Sequence, residues 1–407
     1  MLIDRQISVA LLFFFIAASL GVLLRSLHVF DLGMNYRFIV HGHSHIALLG
    51  WVYLSLTAIL IKLFVPLKED LRKRYSLILY FTLSTILGML FTFPFQGYAF
   101  LSILFSTLFL FASYVYARFF FKHISPSVRK LYCYPYIKSS LYFMLLSSLG
   151  PWALGGIMAT LGSSSDWYRI AIYFYLHFQY NGWMILVLVG LFIYALERKG
   201  ITPTRNGNRR FFWLLNMSVV LTFFLSTLWT MPMYIVFVIS LLGALIQFIL
   251  FFYAVSWLKI SWKRIEAVFT ALELKLILVV GLFLGAKLFL QIIGSIPYFA
   301  NAAASIIELT IAYLHLIFLG VVSLAIFLML RVFELAKITA KQFNLYLVGF
   351  VLTEGLIVFK GMIIWSGSNW GFDTYEESLM FASVILLAAI GLIFIKNAAA
   401  KEICYWS

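Results

Sequence analysis

His41-Gly42-His43-Ser44-His45-Ile46-Ala47-Leu48-Leu49-Gly50-Trp51 lies inside an apolar run that continues to about residue 65. A helix crosses the hydrocarbon core of a bilayer in roughly 20 apolar residues. This run is therefore long enough to span a membrane, and the rest of the chain repeats its character. Of the 407 residues, 64% are hydrophobic and 11% are charged. Membrane β-strands are short, about 10 residues, and alternate polar with apolar, whereas these runs are apolar all round. The expected fold is an all-α polytopic membrane protein, a single transmembrane helical domain over residues 1–407.

Polar breaks divide the chain into twelve spans, at about 8–26, 37–65, 77–94, 98–121, 138–161, 168–196, 211–229, 234–258, 268–292, 305–331, 343–365 and 377–397. The breaks are Lys68-Glu69-Asp70, Pro94, Pro126, Arg209-Arg210, Pro232, Pro297 and Asp373. Residues 7–24 read as a retained first helix, since no small-residue cleavage site follows. No clear internal repeat is visible, and the breaks at Pro151 and Gly155-Gly156 have no counterpart in the other half of the chain. Cys133 and Cys404 stand far apart and imply neither a disulfide framework nor a CxxC metal site.

The formal charge of +15 suggests nucleic acid only until the basic residues are placed. Arg72, Lys73, Arg74, Arg129, Lys130, Arg209, Arg210, Lys263 and Arg264 all fall at one set of helix ends, with most of the rest. Only Arg25, Arg37 and Arg169 fall at the opposite ends. Such a bias puts both termini in the cytoplasm and names the lipid bilayer, not nucleic acid, as the partner.

An unpaired hydrogen-bonding group in hydrocarbon costs several kcal/mol, so intramembrane histidines are functional-site candidates. His45, His177 and His315 each lie nine or ten residues into spans 2, 6 and 10, counted from the same side of the membrane. At 1.5 Å per residue that is one shared level, roughly 14 Å deep. His41 is one turn shallower on the face of His45, while His43 is rotated by about 200° and reads as a hydrogen bond to a neighbouring helix. Neutral imidazole is a common ligand of iron and copper, so these positions suit metal or haem ligation. Lys287 and Lys360 lie in the same outer half, and buried ammonium groups need anions. Haem propionates, with Arg37 and Arg169 at the rim, or Glu354 and Glu308, would serve.

Twelve spans with histidines on the second, sixth and tenth resemble subunit I of the haem-copper oxidases and nitric oxide reductases, and the NnrS type of haem- and copper-containing membrane protein. The resemblance implies an oxidase-like bundle in a bacterial cytoplasmic (inner) membrane. It implies a haem held by His45 or His41 and by His315, and a second metal, copper or non-haem iron, at His177. The chain departs from that pattern in three places. The seventh span carries no His-His pair, the tenth has one histidine where the family has His-x-His, and Asn181 replaces the tyrosine four residues after the sixth-span histidine. The implied function is therefore electron transfer, or binding of nitric oxide or oxygen as a diatomic gas, rather than proton-pumping oxygen reduction. An electron-donor protein or quinol is the implied partner. The alternative is a proton- or metal-coupled transporter lined by Glu273, Lys275, Lys287, Glu354 and Lys360, and a third reading is a structural relative without cofactor.

Overall fold

The computed structural model describes residues 2–368 and 373–402; Cys404 lies outside them. Twelve helices in it are long and apolar enough to cross a membrane. They are α1 (Leu2–Val29), α2 (Tyr36–Phe64), α3 (Glu69–Gln96), α4 (Phe100–His123), α5 (Tyr134–Thr160), α6 (Asp166–Glu197), α7 (Arg205–Thr230), α8 (Tyr234–Ile260), α9 (Ala271–Gly294), α10 (Ile307–Val332), α11 (Ala340–Ser366) and α12 (Tyr375–Ala399). No strand occurs among the described residues. The architecture is that of a helical integral membrane protein, as the composition requires.

Two expected breaks lie elsewhere. Pro94 sits inside α3, which runs on to Gln96, and Arg209-Arg210 lie inside α7, which starts at Arg205 behind the capping hydroxyl of Thr204. Hydropathy marks where lipid ends, whereas a capped helix continues through polar residues at the interface.

The chain forms two compact units. The first comprises Met1–Ser125, Ile326–Ile363 and Gly367–Ser407. Here α1 packs against α2 and α12, and α3 packs against α2 and α4. Its core is aromatic: Phe14 stacks on Trp51 with ring centroids 4.5 Å apart, and Phe327 and Tyr346 close around them. The second unit comprises Pro126–Ala325 and Ile364–Ser366. Within it α5 packs against α6, α7 forms a hairpin with α8, and α9 packs against α8 and α10. Tyr136, Phe143, Phe178, Leu186 and Val219 form one buried cluster of this unit.

A repeat that hydropathy does not reveal is present in α2, α6 and α10. Each of these helices widens from α to π geometry for eight residues, at Ile46–Tyr53, Phe178–Ile185 and Leu316–Ser323. π-Helix is rare, mostly confined to single-turn bulges, and frequent at functional sites. In each case the residue before the π segment is a histidine, namely His45, His177 or His315, and a glycine stands five residues after it, Gly50, Gly182 or Gly320. These helices are also the most enclosed: 78%, 72% and 61% of their apolar windows are buried, against at most 39% elsewhere.

The glycines explain part of the packing. A methyl group at Gly50 would lie 2.8 Å from Phe13 Cβ of α1, and one at Gly182 would lie 2.7 Å from Phe143 Cβ of α5. The preceding helix thus rests a phenylalanine on the glycine of each π segment. Phe283 of α9 stands as far before His315 along the chain as Phe13 stands before His45. The widened turns are supported by side chains as well. Gln6 donates to the Leu54 carbonyl at 3.0 Å, and Ser323 reaches back five residues to the Phe318 carbonyl at 2.7 Å.

Candidate functional site

Around α2 the HGHSH stretch sends its side chains two ways. Asn35 caps the helix, its side chain accepting from the Phe38 amide, and the following turns are set by Gly42, where a methyl group would meet the Pro94 ring at 2.9 Å. That close approach brings the end of α3 onto the face of His41 and His45. The His45 ring stacks on Phe93 at 4.2 Å, and Tyr98 presents its ring edge-on to His41 at 4.6 Å. His43 points the other way, and its Nδ1 donates to the Ala17 carbonyl of α1 at 2.8 Å. The expected role of His43 as a bond to a neighbouring helix is what the geometry shows.

The tautomer of His45 follows from its partner. Nδ1 lies 2.9 Å from the His41 carbonyl; a carbonyl only accepts, so Nδ1 carries the proton and Nε2 keeps its lone pair. A ligating histidine is held in this way, with the far nitrogen donating to a backbone carbonyl. His45 therefore offers Nε2 from a half-buried, aromatic-walled position. Arg37, one turn before His41, is exposed at the start of the helix.

His177 is placed differently. It is 1% exposed, and both ring nitrogens are engaged. Helix α7 tightens into 3-10 geometry at Phe223, whose amide turns to the Val220 and Leu221 carbonyls. That leaves the Val219 carbonyl to side chains, and His177 Nε2 donates to it at 2.8 Å, beside Thr222 Oγ1 at 3.2 Å. The Asn181 amide then donates to His177 Nδ1 at 3.2 Å, and Lys287 Nζ of α9 donates to Asn181 Oδ1 at 2.7 Å. All three side chains are at most 3% exposed. One turn further along α9, Gln291 Oε1 is buried with no partner.

The expected anions are thus met in an unexpected form. Lys287 meets a neutral amide. Lys360 pairs with Glu376 in the first turn of α12 at 2.9 Å, with Tyr375 beneath its ammonium at 4.9 Å, and not with Glu354 or Glu308. Arg169 lies over the Trp229 ring at 4.0 Å. His315 is half-buried at the end of the α-helical part of α10 and carries the same π segment as the other two. In its unit the two π segments touch, Tyr180 meeting Phe318 edge-on at 5.9 Å. Glu273, named in the transporter reading, closes a capping box with Thr270 at the start of α9.

Among the described residues no group of three or more His, Cys, Asp or Glu side chains is arranged to hold a metal ion. His45 keeps Nε2 as a nitrogen that could ligate a metal, whereas His177 could do so only by giving up the Val219 carbonyl or the Asn181 amide. The signal missed in the sequence is the spacing of histidine and glycine common to α2, α6 and α10, together with Asn181 and Lys287 as partners of His177. In comparisons with known proteins no family model matches the chain, and no curated protein sequence is significantly similar to it.

Proposed function

We propose that this chain is a haem-binding integral membrane protein related to subunit I of the haem-copper oxidases and to the NnrS type. Its role is electron transfer, or the binding of nitric oxide or oxygen, in a bacterial cytoplasmic membrane with both termini inside. The observation that carries this reading is His45, the last α-helical residue before a π segment, with Nδ1–H held by the His41 carbonyl and Nε2 left as a lone pair. Three helices bearing the same histidine and π device support the relationship, because the resemblance rests on those same helices.

A haem bound here would supply one-electron transfer or a binding place for a diatomic gas. The chain's own contribution is to fix the ring. Phe93 stacks on the His45 imidazole, Tyr98 meets it edge-on, and the His41 carbonyl accepts its Nδ1 proton. His41 is the shallower candidate on the same face. Copper or non-haem iron at His177 would require a change in its hydrogen bonds, which leaves haem as the one resident group. An electron-donor protein or quinol is its partner.

The test is a visible spectrum of the purified protein, oxidised and dithionite-reduced, with metal analysis, after expression with ample haem. A Soret band that shifts on reduction, with iron and no stoichiometric copper, is expected. A protein without a Soret band overturns the reading and leaves the transporter, for which the buried Lys287–Asn181–His177 line is the specific feature in favour.

A further inference from the structure

Arg209 and Arg210 emerge at the basic end of α7, and neither forms an ion pair among the described residues. With Asn206, Trp213 and Leu214 they line an open cleft of about 540 Å³. Beyond the arginines the exposed face of α7 is purely apolar. Trp213, Leu214, Met217 and Val220 are 62%, 42%, 45% and 47% exposed, and their spacing of three and four residues makes one stripe down the helix.

Ten residues separate Arg210 from Val220, roughly 15 Å along the axis. That is about half of the hydrocarbon thickness, the depth of one leaflet. A guanidinium pair above such a stripe matches a molecule with a phosphate at the surface and an acyl chain reaching the midplane. Free phosphate would use the arginines alone, whereas a phospholipid uses both the arginines and the stripe below them. The arginines are also held on a rigid element. Asn208, between them and the cap, is 9% exposed; Tyr136 Oη donates to its Oδ1 at 3.0 Å, and its Nδ2 donates to the Tyr132 carbonyl at 3.2 Å.

We propose that Arg209, Arg210 and Trp213 form a binding site for an anionic phospholipid, with the phosphate on the two guanidinium groups and one acyl chain along Leu214, Met217 and Val220. Guanidinium recognises phosphate oxygens in bidentate geometry, and an indole beside it suits the headgroup level. A zwitterionic lipid brings its own cation to the arginines and gains less from them.

Native mass spectrometry of the full chain in detergent, titrated with phosphatidylglycerol or with phosphatidylcholine of the same acyl chains, tests the site. Wild-type protein is expected to retain the anionic lipid about tenfold better, given the attraction of each basic residue for anionic lipid. Arg209→Gln with Arg210→Gln should abolish that preference, and Arg209→Lys with Arg210→Lys should keep part of it. Glycerol phosphate, the headgroup without chains, should not compete. Equal retention of the two lipids by wild-type protein, an undiminished preference in the glutamine pair, or full competition by glycerol phosphate would each overturn the proposal. The lipid comparison and the competition use wild-type protein and stand even where the glutamine pair fails to fold.

Discussion

Lys287 Nζ donates to Asn181 Oδ1 at 2.7 Å, and the other end of the same amide donates to His177 Nδ1. The Val219 carbonyl, which can only accept, fixes every donor in this line. Its bond to His177 Nε2 leaves Nδ1 as an acceptor, which orients the Asn181 amide and turns its oxygen to the lysine. The buried Lys287 nitrogen thereby finds an acceptor through a relay with one polarity, and it forms no ion pair among the described residues.

Breaking the relay at its centre should therefore cost more than breaking it at its end. Asn181→Leu leaves an amine and an imidazole nitrogen buried and unpaired, with an expected loss of about 3–5 kcal/mol. Lys287→Met removes the amine itself and orphans one amide oxygen, an expected loss of about 1–3 kcal/mol. The double variant should lose clearly less than the sum. Unfolding of the three variants in detergent measures this coupling, and strictly additive losses would show that the relay does not act as a unit.

Phenylalanine rests on glycine in two of the π segments, with a methyl group at Gly50 or Gly182 placed below 3 Å from a Phe Cβ. Gly50→Ala and Gly182→Ala should each destabilise by about 1–3 kcal/mol through overpacking. Gly155 of α5 has nothing within 4 Å of the corresponding methyl, so Gly155→Ala should be neutral or stabilising by up to about 1 kcal/mol through helix propensity. Thermal midpoints in detergent compare the three. Equal behaviour would remove close helix approach as the reason for glycine at these places.

Cys133, just before α5, is buried, and that burial pushes its thiol well above the usual range, with the Glu197 carboxylate adding to the shift. Alkylation needs the thiolate, so in a Cys404→Ser background the native protein should react with a maleimide at pH 8 at least tenfold more slowly than the unfolded chain. Rapid native labelling at that pH would mean that Cys133 is open to solvent.

The twelve helices are legible in the sequence because each must bury its backbone hydrogen bonds inside a run of apolar side chains. Their ends are less so. Glu69 to Arg74 and Arg205 to Arg210 are polar yet helical, held by i,i+4 ion pairs in the first case and by the Thr204 cap in the second. The histidines of helices 2, 6 and 10 are legible as a set, and His43 as a bystander that bonds a neighbouring helix. The repeat escapes hydropathy because no position between histidine and glycine holds one residue in all three: Ile-Ala-Leu-Leu, Phe-Gln-Tyr-Asn and Leu-Ile-Phe-Leu. Aligning the three helices on their histidines reveals it at once. The partner of His177 is a backbone carbonyl freed by a change of helix type in α7, and no residue name announces that. Lys360 finds Glu376 because the hairpin of α11 and α12 folds the two together, where counting along one helix points to Glu354.

His45 as an iron ligand is the central claim, and His43 two residues away is its internal control. The decisive measurement is the haem content and reduced-minus-oxidised spectrum of His45→Ala beside His43→Ala, each purified under conditions that load the wild type. His43→Ala should keep the wild-type spectrum and lose the stability of its bond to Ala17, about 1 kcal/mol. His45→Ala should lose the haem or change its axial ligation. An unchanged spectrum and full haem content in His45→Ala would contradict the assignment.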